Sequence, residues 1–75
     1  MKVEYIYLVI DHHRHVQDAY KTLESAKKQA LRDVNNFYHS YTESEVRAGA
    51  TIKYLVNENN KPLVYRSVVR RIIKS

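Results

Sequence analysis

Apolar side chains recur along this 75-residue chain with two periods, and the switches between them mark out its elements. Val3–Ile10 is β-branched and aromatic with no glycine or proline, which predicts a strand. A period of two sets Ile6, Leu8 and Ile10 on one face and Tyr5, Tyr7 and Val9 on the other, so both faces are apolar. Asp11–Arg14 is polar and turn-like, and His15–Tyr20 returns as a shorter strand carrying Val16 and Tyr20, which makes a hairpin.

The period then lengthens. Leu23, Ala26, Ala30, Val34, Phe37 and Tyr41 recur at intervals of three and four, while Lys27, Lys28, Arg32 and Asp33 fall away from that stripe. Thr22 is suited to cap the helix with its hydroxyl, and Glu24 sits where the positive end of the helix dipole favours an acid. Asn35 and Asn36 weaken the far end, which the pattern places between Phe37 and Tyr41. Thr42-Glu43-Ser44-Glu45 matches a capping box shortly before the only glycine, Gly49, and predicts one further helical turn.

From Thr51 the period returns to two, with Ile52, Tyr54 and Val56 opposite Thr51, Lys53, Leu55 and Asn57. Asn57–Lys61 reads as a turn, because asparagine tolerates positive φ, and Pro62 fits the first position of a strand. Leu63–Ile73 is then the longest strand, and its last residues overhang any neighbour, leaving ladder groups that a second copy could pair. The order is ββαββ in a single domain over residues 1–75. It predicts an α+β fold, an antiparallel sheet of about four strands with one amphipathic helix on one face. One helix covers one face only. Ile6, Leu8 and Ile10 are expected to meet it, leaving Tyr5, Tyr7 and Val9 to water, a partner or a second copy.

Charge sharpens this picture. The net +5 is not spread along the chain: Met1–Glu58 holds eight Lys/Arg and all eight acids, so the excess sits on Lys61, Arg66, Arg70, Arg71 and Lys74. Alternation puts Arg66 and Arg70 with Val64, Val68 and Ile72, and Arg71 with Leu63, Tyr65, Ser67, Val69 and Ile73. Arginines on an extended strand make paired donor contacts to phosphate or carboxylate, and neighbouring tyrosines stack on bases. An ordinary edge strand also carries cations, which discourage aggregation. Seven tyrosines suit an interface because they supply contact area at little rotamer cost, and they equally suit a half-buried core whose hydroxyls reach water. The candidate partner-binding set is Tyr5, Tyr7, Tyr65, Arg66, Arg70, Arg71 and Lys74.

Composition excludes several classes of function. The longest apolar run, Tyr5–Ile10, is far short of the ~20 residues of a membrane span, and the immediate Asp11-His12-His13-Arg14-His15 does not fit a secretory signal, so a cytoplasmic location is expected. With no cysteine there is no thiol nucleophile, and one glycine leaves no phosphate-cradling loop or nucleophile elbow. His12, His13 and His15 beside Asp11 are metal-ligand types, but they occupy a hairpin tip where neighbouring side chains diverge and Arg14 repels a cation. That reads as a solvated turn, with metal binding as the alternative. No catalytic residue and no cofactor is implied.

Tyr20-Lys21-Thr22-Leu23-Glu24-Ser25-Ala26-Lys27-Lys28-Gln29-Ala30, following a hairpin, resembles the strand-to-helix junction of many small accessory proteins encoded by bacteriophages and prophages. The resemblance implies an accessory or host-interaction role and carries over no site residue. The expected function is therefore that of a small non-catalytic binding protein, a phage-type inhibitor or modulator of a host macromolecule. It would act through a Tyr/Arg-rich sheet surface on a partner with an acidic face, and self-associate as a homodimer. The alternative is a nucleic-acid-binding protein using the same basic strand.

Overall fold

The computed structural model describes residues 3–47 and 50–74. In chain order they form β1 (Val3–Asp11), β2 (Val16–Tyr20), α1 (Leu23–Phe37), β3 (Thr42–Val46), β4 (Thr51–Glu58) and β5 (Lys61–Lys74). The strands make one antiparallel sheet in the order β2-β1-β5-β4-β3, and α1 lies on one face of it. The fold is α+β, with five strands rather than about four. No helix among the described residues is long and apolar enough to cross a membrane.

Local chemistry explains most boundaries. Thr22 is extended and its Oγ1 accepts from the Ser25 amide at 3.2 Å, while Glu24 lies in the first turn. The helix ends at Phe37, where Tyr38 turns extended and its amide still reaches the Val34 carbonyl at 2.9 Å. Asn59 and Asn60 both take positive φ, 53° and 65°, the two-residue hairpin geometry that asparagine accepts most easily after glycine.

The fifth strand corrects the extra helical turn predicted at Thr42-Glu43-Ser44-Glu45. A capping box stabilises a helix only if a helix follows, and here a strand takes its place, with the Ala50 amide ahead of β4 donating back to the Arg47 carbonyl at 3.0 Å. Alternating Thr42, Ser44 and Val46 against Glu43 and Glu45 then pairs along β4, from Thr42 opposite Leu55 to Val46 opposite Thr51. Gly49 lies outside the described residues.

The core corrects a second expectation. Val9, Ile52, Tyr54, Val56 and Val68 are buried beneath Ala26, Ala30 and Val34 of α1, with Tyr7 and Tyr20 packed around them. Tyr5, Tyr7 and Val9 therefore face the helix, and Ile6, Leu8 and Ile10 face away from it. Both rows of β1 are apolar, so its period could not choose between them. The partner strands decide: Val9 stands opposite Val68, which in turn stands opposite Ile52. The alanines of α1 are short, so the helix approaches the sheet closely and long tyrosines fill the margins with their hydroxyls outward.

Two bulges shape the sheet. Gln17 is the extra residue of β2 opposite Val9 and Ile10, and Tyr65 is the extra residue of β5 opposite Tyr54 and Leu55. The second bulge corrects the simple alternation of β5: Leu63 and Tyr65 pack on the helix-side core, while Arg71 lies in the opposite row. Both long strands also outrun their neighbours. Pairs Val3–Lys74, Glu4–Ile73, Tyr5–Ile72 and Ile6–Arg71 have neither β2 nor β4 alongside, so they form a two-stranded ribbon at one end of a molecule 48 Å long and 22 Å across. The overhang of β5 is thus paired by β1 on one side and open on the other.

Tyr54 tests the packing directly. Its ring is fully buried, yet among the described residues its hydroxyl makes no hydrogen bond of good geometry, although the Glu43 carboxylate stands close by on β3. Tyr54→Phe should therefore leave stability unchanged or raise it by up to about 1 kcal/mol in denaturant unfolding, because an unpaired buried hydroxyl is itself a cost. A loss of more than about 1 kcal/mol would show that the hydroxyl is bonded.

Candidate interaction surface

The residues singled out from the sequence fall into three places. At the ribbon, Tyr5 is 40% exposed on the helix side, and the Arg70 guanidinium carbon lies 4.5 Å from its ring centroid. That is a cation–π contact, worth about 0.5–1 kcal/mol at a wet site. Ile72, directly across from Tyr5, is 66% exposed, which is unusual for an isoleucine paired on both counts of sequence and register. Tyr7 sits further in, half-buried against the core.

Arg71 stands on the other face of the ribbon, exposed, opposite Ile6. Lys74 belongs to β5, but its side chain lies outside the described residues. A shallow depression at the free edge of β1 is lined by Glu4, Tyr5, Ile6, Lys21 and Ile73. Lys21 thus joins the cations here. Only the register could show it, since Tyr20 pairs with Tyr7 and the next residue must lie beside Ile6.

Tyr65 and Arg66 lie at the opposite end of β5, roughly 15 Å away along the strand at ~3.3 Å per residue. Both are engaged within the chain. The Arg66 Nε donates to Asp33 Oδ2 at 3.1 Å, its Nη1 donates to the Tyr65 carbonyl at 3.0 Å, and its guanidinium carbon lies 4.4 Å from the Tyr65 ring centroid. The ion pair is largely shielded, with side-chain exposures of 12% for Arg66 and 21% for Asp33. Asp33 falls away from the helix stripe in the sequence, yet it stands at the stripe's margin beside Val34 and meets the cation rising from the sheet. Tyr65 also holds the edge of Tyr38 at 5.0 Å and the stacked ring of His12 at 5.2 Å, with Phe37 at 6.2 Å. Arg66 and Tyr65 therefore join sheet to helix.

The histidine turn is organised by Asp11. Its Oδ1 accepts from the His13 and His15 amides, each at 2.9 Å, and its Oδ2 accepts from the Gln17 side chain. Arg14 takes the positive φ, 66°, that closes the turn. Both carboxylate oxygens are so occupied, and the imidazoles lie side by side, His12 stacked on Tyr65 with its ring centroid 4.0 Å from that of His13, and His13 6.3 Å from His15. Among the described residues no group of three or more His, Asp or Glu side chains is arranged to hold a metal ion.

No protein-family model, no curated protein and no solved structure matches the chain.

The turn carries a pH prediction. The Asp11 carboxyl is held below its ordinary value of 3.8, chiefly by the His15 amide; partial desolvation opposes this, and Gln17, the His13 amide and charge on His15 add to it. Its folded pKa is lower than its unfolded one, so the stability it contributes is present above about pH 4 and is lost as pH falls through the folded value. Asp11→Asn, which keeps an oxygen for the two amides, should flatten the fall of the thermal midpoint below that pH. An unchanged acid limb would remove Asp11 from this role.

Proposed function

We propose that this chain is a small non-catalytic binding protein that docks on the acidic surface of a protein partner through the helix side and free edges of the β1–β5 ribbon. The observation that carries this reading is the ribbon itself. A two-stranded ribbon with no third strand is marginal in water, and this one exposes Tyr5 and Ile72, with the half-buried Arg70 lying over the Tyr5 ring, together with open ladder groups. A partner strand added to either edge would satisfy those groups, with Tyr5 and Ile72 as apolar anchors and Arg70 and Lys21 as the charges that select an acid. Tyr7, Tyr65 and Arg66 serve packing in this reading, and the contact residues narrow to Tyr5, Lys21, Arg70 and Ile72. No cofactor takes part. An accessory role of the bacteriophage kind, in which a host macromolecule is occupied rather than chemically altered, and a cytoplasmic setting fit this mode of action.

A second reading rests on the same pairing of Tyr5 with Arg70: a ring and a guanidinium side by side also suit a base and its phosphate. One experiment separates them. The chain is used to capture partners from a bacterial lysate with and without nuclease, beside the variants Tyr5→Ala and Arg70→Ala. The protein reading expects a partner retained after nuclease and weakened at least about tenfold by each variant, the cost of losing one anchor. Capture that vanishes with nuclease favours nucleic acid. In that case log K should fall against log salt with a slope of about −3 to −4.5 for three to five phosphate contacts.

A further inference from the structure

The face of the sheet turned away from α1 is as apolar as the face that α1 covers. Pairing across the strands sets Ala19, Leu8, Val69, Thr51 and Val46 in one continuous row over all five, and the next row towards the hairpin tip runs Val16, Ile10, Ser67, Lys53 and Ser44. Ile6 and Ile73 extend the patch onto the ribbon, and Leu55 opposite Val64 extends it the other way. Leu8, Ile10, Leu55, Val64 and Val69 are half-buried only by their neighbours in the sheet. Among the described residues no element lies over them, since the only helix packs on the other side. This surface is distinct from the helix-side contact residues proposed above.

We infer that a second copy of this chain covers the open face, two sheets packing face to face about a two-fold axis. Charge argues for a copy rather than a foreign partner. The surface carries Glu4, Lys53 and Arg71 among apolar and hydroxyl side chains, with Asp11 and Arg14 beside Lys53 at the hairpin end; three cations against two acids leave it nearly neutral, with little excess to select an acidic protein or a phosphate backbone. The size fits as well. Five strands at ~4.8 Å spacing and about seven residues at ~3.3 Å each give roughly 20 × 23 Å in projection, and side-chain relief brings the accessible area towards the ~800 Å² per partner of a standard interface.

The positions of the charges fix the axis. Neither Glu4 nor Arg71 has an ion-pair partner among the described residues. An axis along the β1–β5 seam lays each copy's β1 over the other's β5. Glu4 of one copy then stands over Ile73 of the other, within reach of the long Arg71 side chain two residues on. Leu8 and Val69, which pair within each copy, meet at the centre as a four-residue apolar cluster.

Sedimentation equilibrium from micromolar to millimolar protein tests this. The expected result is a concentration-dependent mass approaching twice 8.9 kDa. Leu8→Lys, with its fold checked by circular dichroism, should stay at the single-chain mass throughout. Should Leu8→Lys fail to fold, Arg71→Glu changes only an exposed side chain; it should weaken dimerisation at least about tenfold, and adding Glu4→Arg should restore it. A single-chain mass at every concentration overturns the proposal. So does a dimer indifferent to Leu8→Lys in a folded protein, because that dimer would be held by the ribbon edges.

Discussion

Ala26, Ala30 and Val34 press a short-sided stripe of helix onto Val9, Val68, Ile52 and Tyr54, and nearly every other feature of the molecule follows from that contact. It buries the most enclosed side chains of the sheet among the described residues and fixes which row of each strand is inner. Because the helix edge is made of alanines, it comes close enough that Tyr7, Tyr20 and Tyr65 can wrap its margins. The abundance of tyrosine is in large part a packing solution for a chain with no tryptophan and a single phenylalanine, Phe37, which is itself exposed.

The Tyr65 bulge ties the far end of this layer together. One extra residue in β5 turns Tyr65 and Arg66 to the same side, and that places a ring against Tyr38 and His12 and a guanidinium against Asp33. The basic strand is therefore not a uniform strip of free charge. Arg66 is committed to holding the helix down, Arg70 lies over Tyr5, and Arg71 points to the other side of the sheet. An Arg66 that looks like a ligand group in the sequence is a structural rivet in the fold.

Much of the fold is legible in the chain because local chemistry and periodicity agree there: Thr22 caps, Asn59-Asn60 turns, and Ile52, Tyr54 and Val56 alternate inward. The misreadings share a cause. Thr42–Val46 satisfies a helix-start pattern and a strand pattern equally, and only pairing with β4 decides between them. Both rows of β1 are apolar, so the inner row depends on register with β5, which no local pattern encodes. The bulge that brings Tyr65 to Arg66's side changes alternation by one residue and carries no glycine to announce it. The three locations of the candidate partner residues were hidden for the same reason, although the residue types and the strand that holds most of them could be read directly.

The same contact leaves one sheet face without a cover, the face on which the proposed second copy packs. Methyl NOEs recorded on a mixture of isotope-labelled and unlabelled chains test this most directly, because filtering keeps only contacts between copies. The face-to-face dimer gives Leu8-to-Val69 methyl contacts between copies in the filtered spectrum, and the fold gives Val9-to-Ala30 contacts within one chain in the unfiltered one. Leu8 contacts to Ala26 or Ala30 within a chain would contradict it, as would a concentrated sample with no contacts between copies at all.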